Sequence, residues 1–165
     1  MRRFDSTFDS VTQQHMAWDG YWCPHAAEFL NWRYLADPVR EHAGLALTVG
    51  PRLTGYSVVR VDGGRAVLME FVAPREAPDA ARTLFRHVIK VATEADCSHL
   101  VAAAPPAWQH GRLLRSAGFV ALPSDFVMYA FSEREDTPGL HALENRQFLG
   151  GDLDPFWTSG SLADA

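Results

Sequence analysis

The hydrophobic period of this chain changes twice, and that change limits the fold more than any single motif does. Up to about residue 40 apolar residues recur at helical spacing; then short apolar runs take over, and near residue 79 the helical period returns. Leu45-Ala46-Leu47-Thr48-Val49, bounded by Gly44, Gly50 and Pro51, reads as a strand. Thr54 to Val61, with Tyr56, Val58, Val59 and Val61, reads as a second, and Ala66 to Val72 as a third. Asp62-Gly63-Gly64 lies between the last two, and glycine there supplies the positive φ that a two-residue hairpin turn demands. From Asp79 to Ala95, the side chains of Leu84, Phe85, Val88, Ile89 and Ala92 fall on one helical face, with Asp79 as the expected N-cap.

On either side of this block the signals are shorter. Phe4, Phe8 and Val11 recur at helical spacing, and Ala26 to Leu35 forms a second amphipathic stretch that ends by Pro38. His99 to Ala104 is a short apolar strand, expected to be buried on both faces if central. Pro105-Pro106 opens a helix over Ala107 to Ala117, Gly118 stands where a helix C-terminal glycine belongs, and Phe119 is placed to pack back. Phe126 to Phe131 is a last strand. Three strands joined by short turns favour an antiparallel meander, and the later strand–helix–strand units favour crossovers. The expected fold is α/β: a mixed, mostly antiparallel central sheet with flanking helices. One domain spans residues 1–131, its first 40 residues helical, and residues 132–165 form an acidic loop and tail.

Composition removes several classes. Apolar residues at 47% and charged residues at 21% are those of a folded globular chain. No apolar run approaches the ~18 residues of a membrane helix, and no secretory leader is visible, so no membrane association is expected. Cys23 and Cys97 are too few for a disulfide framework, which favours a cytoplasmic protein. The net charge of −5 resides in residues 132–165, with seven acids against Arg134 and Arg146; residues 1–131 are balanced. A neutral body with an acidic tail lacks the basic footprint that nucleic-acid binding requires.

The element order resembles the GNAT (acyl-CoA N-acyltransferase) fold. Val67-Leu68-Met69-Glu70-Phe71-Val72-Ala73-Pro74 is similar to that family's central strand, Leu84-Phe85 to the apolar pair of its next helix, and Leu113-Leu114-Arg115-Ser116-Ala117-Gly118-Phe119 to its closing helix. Phe29-Leu30-Asn31-Trp32-Arg33-Tyr34-Leu35-Ala36-Asp37-Pro38, Gly55-Tyr56-Ser57-Val58-Val59-Arg60 and Gly151-Asp152-Leu153-Asp154 resemble a GNAT-like bacterial subgroup. The resemblance covers roughly residues 26–156, and the order of the motifs carries it. Members of the subgroup are often longer; this chain looks like a second half standing alone, which favours a homodimer.

The resemblance implies an N-acyltransferase that uses acetyl-CoA or another acyl-CoA, with a small-molecule amine or amino sugar as acceptor. The backbone of Phe71, Val72 and Ala73 would bind the pantetheine arm, and Ala80, Ala81 and Arg82 at the next helix start would face pyrophosphate. The family's phosphate loop, Arg/Gln-x-x-Gly-x-Gly/Ala, falls here on Glu76, Asp79 and Ala81. Asp79 and Glu76 depart from it, and Arg75 and Arg82 would compensate only in part. Glu70 is the candidate base; the plainer reading is a strand carboxylate facing solvent or paired with an arginine. The family's acid tyrosine position holds Leu114, leaving Tyr129 on the last strand as the candidate acid or a core aromatic.

Trp32, Arg33 and Tyr34 are the candidate acceptor-binding residues, within an aromatic-rich region that includes Trp18, Tyr21 and Trp22 and otherwise reads as core packing. Arg33 and Arg60 suit an acidic substrate or simple pairing with Asp37 and Glu41. Cys23-Pro24-His25 and Cys97-Ser98-His99 put thiol near imidazole in sequence, but nucleophilic catalysis needs spatial contact, and Cys97 and His99 flank a strand start where packing or capping is expected. Cys23, His25, Asp152 and Asp154 lack recognised metal-ligand spacing, so no metal is expected. The competing function is a non-catalytic binding or assembly module on the same scaffold with a degenerate cofactor loop.

Overall fold

Three consecutive strands form the expected meander: β2 (Glu41–Val49), β3 (Arg52–Asp62) and β4 (Arg65–Val72), each antiparallel to the next. They belong to a computed structural model that describes residues 3–16, 21–22, 25–104, 108–121 and 146–147. β5 (His99–Ala102) joins in parallel beside β4, giving the order β2-β3-β4-β5 and a mixed α/β sheet with flanking helices. Gly63 and Gly64 take φ of +54° and +80° between the paired residues Asp62 and Arg65, the conformation a type I′ hairpin requires. A separate two-residue pair, β1 (Tyr21–Trp22) with β6 (Arg146–Gln147), is parallel.

α1 (Ser6–Met16) and α2 (Ala27–Leu30) cover one face of the sheet. Phe4, Phe8, Val11, Leu30 and Tyr34 pack there against Tyr56, Val58, Val67, Met69 and Val72. Polar bonds fix this layer: Asp9 accepts from the Ala27 N–H at 2.6 Å at the start of α2, and Asn31 clamps both backbone groups of Phe4 at 2.9 and 2.8 Å. α2 runs directly into a π-helical turn, Asn31–Leu35, whose wider loop is closed by the Ala36 N–H donating to Asn31 O at 3.0 Å. The turn keeps Tyr34 buried and leaves Trp32 and Leu35 exposed.

α3 (Pro78–Glu94) covers the other face, with Leu84, Phe85, Val88 and Ala92 against Val59, Ala66, Leu68 and Phe71. Asp79 is not its N-cap. Ala77 occupies that position and Pro78 is the first helical residue, because the proline ring presets φ and its missing N–H costs nothing there. α4 covers only Gly111–Ser116, shorter than the expected Ala107–Ala117, because a turn closed by the Gly111 N–H on Trp108 O at 2.8 Å directs Trp108 into the core. It ends as expected: Gly118 has φ +88° and donates to Arg115 O, Phe119 donates to Leu114 O, and the Phe119 ring lies 5.6 Å from Phe85.

β5 stops at Ala102 and, among the described residues, is an edge; the strands buried on both faces are β3 over residues 55–60 and β4 over residues 66–72. Phe126 to Phe131, Tyr129, Cys23, Trp18 and, apart from residues 146–147, the acidic tail lie outside the described residues. No helix among the described residues is long and apolar enough to cross a membrane.

Candidate functional site

The pairing of β4 with β5 ends halfway along β4, where β5 itself stops. Their pairing runs from Arg65↔His99 to Leu68↔Ala102, and β4 continues to Val72 with β3 as its one paired strand among the described residues. A β-bulge sits at the parting. Pairing with β3 jumps from Val59↔Leu68 to Val58↔Glu70, so Met69 is the extra residue, and both Met69 and Glu70 meet the α1/α2 layer. Ser57 Oγ donates to Glu70 O at 2.7 Å and pins the bulge. Gly55 lets β3 hug β4 next to it: a Cβ there would lie 2.7 Å from Val72 O.

The bulge delivers a carboxylate into the protein interior. Glu70 is 1% exposed, a position where an ionised group needs hydrogen-bond partners. It has two. The Tyr34 hydroxyl donates to Oε1, and His25 Nδ1 lies 2.8 Å from the same oxygen. Tyr34 is placed by the π-helical turn, whereas His25 precedes α2 and stacks on Phe29 with ring centroids 4.5 Å apart. An imidazole whose Nδ1 serves a carboxylate has its tautomer and ring plane set, the arrangement that orients a proton-transfer group. The tyrosine ring also meets His42, centroids 5.1 Å apart. Burial pushes the His42 imidazole below its ordinary pKa; Asp37 works the other way, and Arg60 and Arg33 add to the fall.

Glu70 is therefore neither solvent-facing nor paired with an arginine. Of the expected acceptor residues, the fold brings Tyr34 to Glu70. Trp32 is 66% exposed and reaches the cluster only through ring contacts, Trp32 on Phe29 at 5.8 Å and Phe29 on His25. Arg33 is half-buried beside His42. Among the described residues neither Asp37 nor Glu41 forms an ion pair with Arg60, and Asp62 lies 3.8 Å from it. His25 is the partner that sequence reading missed. It stood out there only as a neighbour of Cys23 and in a set without metal-ligand spacing, and no local pattern ties it to a strand 45 positions on. Among the described residues no three His, Cys, Asp or Glu side chains gather as metal ligands.

On the α3 side of the parting, Phe71 packs edge-on against Trp108 and His110, at 5.7 and 5.2 Å. Among the described residues, the buried Trp108 indole N–H and Gln109 Nε2 have no hydrogen-bond partner. Orphaned donors beside a strand that has lost its neighbour fit an extended, amide-bearing arm, which offers the carbonyl acceptors they lack. Phe71, Val72 and Ala73 are buried, and their contribution there is backbone. The helix start offers less to phosphate. The N–H groups of Ala80 and Ala81 donate to Ala77 O at 3.0 and 3.3 Å, Ala81 is buried in the core, and exposed Asp79 pairs with Arg82 at 2.8 Å. Arg75 and Arg82 are the cations at that end, both exposed.

No known protein-family profile matches the chain, and no curated protein matches it. One similar solved structure is an acetyltransferase from Bacillus cereus. It shares 12% identity with a TM-score of 0.41 over 48% of this chain, which spans 59% of that protein. A likeness so slight assigns neither fold nor activity, and both readings stand on the geometry above.

Proposed function

We propose that the chain is an N-acyltransferase that moves an acetyl or other acyl group from an acyl-CoA thioester to an amine. The observation that supports this best is the parting of β4 from β5 at Leu68, with a bulge and a buried carboxylate immediately after it. The backbone of residues 71–73 would hold the acyl-pantetheine arm, and the Trp108 N–H beside Phe71 would be a further donor to it. In the transfer, the amine nitrogen bonds to the thioester carbonyl carbon, the C–S bond breaks, and the nitrogen releases a proton. Glu70, steadied by Tyr34 and His25, is the group that takes this proton. Arg75 and Arg82 face the phosphates, with part of the Arg82 charge spent on Asp79.

Titration calorimetry with acetyl-CoA and desulfo-CoA tests the reading directly. Saturable heat from both is expected. Glu70→Gln should keep that binding and lower thiol release in the presence of an amine panel by about 10²–10⁴-fold. Absence of heat at millimolar ligand overturns the proposal.

A second reading, a binding module without transfer chemistry, is favoured by one observation: the N–H groups of Ala80 and Ala81 are already engaged at the helix start that would hold phosphate. In that case Glu70, His25 and Tyr34 tie the helical layer to the sheet, and the same titration is silent.

A further inference from the structure

The face of the sheet that carries Glu70 also carries a buried cation. Arg60 is 1% exposed, yet Nε and Nη2 have no hydrogen-bond partner among the described residues. Asp62 Oδ2 lies 3.8 Å from Nη2, close enough for charge attraction but too far for a hydrogen bond, and its side chain is half exposed. A guanidinium stays charged in a protein, so its burial calls for an anion with oxygens to accept its protons. Nε and Nη2 form one edge of the planar fork, the edge that meets two oxygens of a carboxylate or phosphate side by side.

The neighbouring carboxylates do not supply those oxygens. Asp37 Oδ1 is held by the N–H groups of Val39 and Arg40, at 2.9 and 3.2 Å. Glu41 is exposed and registers with Val61, on the opposite face of the sheet from Arg60. Arg60 registers with His42 across β2 and β3. His42, Tyr34 and Arg40 line a cleft of about 370 Å³ that also includes Asp37 and Glu41. Arg40 and Arg65 lie close enough to Arg60 to repel its charge.

We infer that this cleft binds an oxyanion, a carboxylate or a phosphate group, which pairs with Arg40 in the cleft lining and, beyond it, with the unpaired edge of Arg60, which is not itself part of that lining. The His42 ring turns aside as the anion enters, because both orphaned nitrogens are covered without it. Joined to the acyl-transfer reading, this gives the acceptor an acidic group, one tyrosine away from Glu70.

Thermal-shift and calorimetric titrations with inorganic phosphate and with succinate, at ionic strength matched by chloride, test the inference. A saturable effect of either anion over chloride is expected; phosphate alone assigns a phosphate-bearing ligand, and succinate alone a carboxylate. Arg40→Gln and Arg60→Lys should each weaken it by about tenfold or more, whereas Arg86→Gln, an exposed arginine on α3, should leave it unchanged. Wild-type affinity in Arg60→Lys, or no saturable effect of either anion, overturns the inference. Should Arg60→Lys fail to fold, Arg40→Gln decides it by the same criterion. The titration reads the cleft without acyl-CoA, so its failure leaves the acyl-transfer reading standing, and the reverse holds too.

Discussion

Changing Tyr34 to phenylalanine removes a single oxygen from the interior and isolates the hydroxyl that serves Glu70. The ring keeps its place against His42, and no side-chain-sized cavity opens. What is lost is a hydrogen bond to a buried carboxylate. Such bonds to charged groups contribute about 1.5–3 kcal/mol net, against about 0.5–1.5 kcal/mol for neutral pairs. Glu70 is 1% exposed, so water does not replace the missing donor, and His25 remains on the same oxygen and limits the damage. A loss of about 2–3 kcal/mol is therefore expected by urea unfolding at neutral pH, or roughly 4–12 °C in Tm for a chain of this size. Combined with Glu70→Gln, the two losses should fall short of additivity by about 0.5–3 kcal/mol, because one change removes the donor of this hydrogen bond and the other the charge that strengthens it. A Tyr34→Phe loss within about 0.5 kcal/mol, as at an ordinary surface site, would refute the reasoning. So would additivity of the pair within about 0.3–0.5 kcal/mol.

Two further outcomes follow from the same face of the sheet. Because burial lowers the His42 pKa below 6.5 in the folded protein, the unfolded chain binds more protons as pH falls through that value. Stability should decline from about pH 6.5 downward until the folded pKa is passed, and His42→Gln should flatten that part of a urea-derived ΔG against pH curve; an unchanged slope would dismiss His42 as its source. Gly55→Ala places a Cβ 2.7 Å from Val72 O and 3.4 Å from Ala73 Cα, both backbone atoms that yield little. A loss of about 1–3 kcal/mol is expected, and a neutral result in urea unfolding would show that β3 and β4 separate freely there.

Much of the scaffold was legible because its signals are local. The glycine pair at 63–64, the glycine–phenylalanine close of α4 and the apolar face of α3 each act through neighbours a few residues away. The misread positions involve competition between local rules. Asp79 is a good capping residue, but Pro78 beside it is a better first helical residue, so the helix begins earlier and the carboxylate turns to Arg82. Trp108 sits at the expected beginning of a helix, and its burial against Phe71 holds that beginning in a turn. Other features leave no local trace at all. The bulge at Met69 falls inside an unbroken apolar run, and the contact between Tyr34 and Glu70 spans 36 positions that only the folded sheet brings together. Glu70 could be chosen from the strand that holds it; its partners could not.

The separation of Glu70 from Arg60 bears on whether this polar face is structural or made for a ligand. Glu70 registers with Val58, two positions before Arg60 on β3, so a buried anion and a buried cation lie close together on one face. A purely structural solution would pair them with each other or replace both by apolar side chains, since isolated buried charges are costly and well-packed apolar residues often serve as well. Neither has happened. Glu70 bonds to Tyr34 and His25, and Arg60 keeps an unfilled edge. Tyr34 links the two regions, its hydroxyl on Glu70 and its ring on His42, the register partner of Arg60. Under the two proposals together, Glu70 would take the proton and Arg60 would meet the anion, which would suit a substrate bearing both an amine and an acidic group.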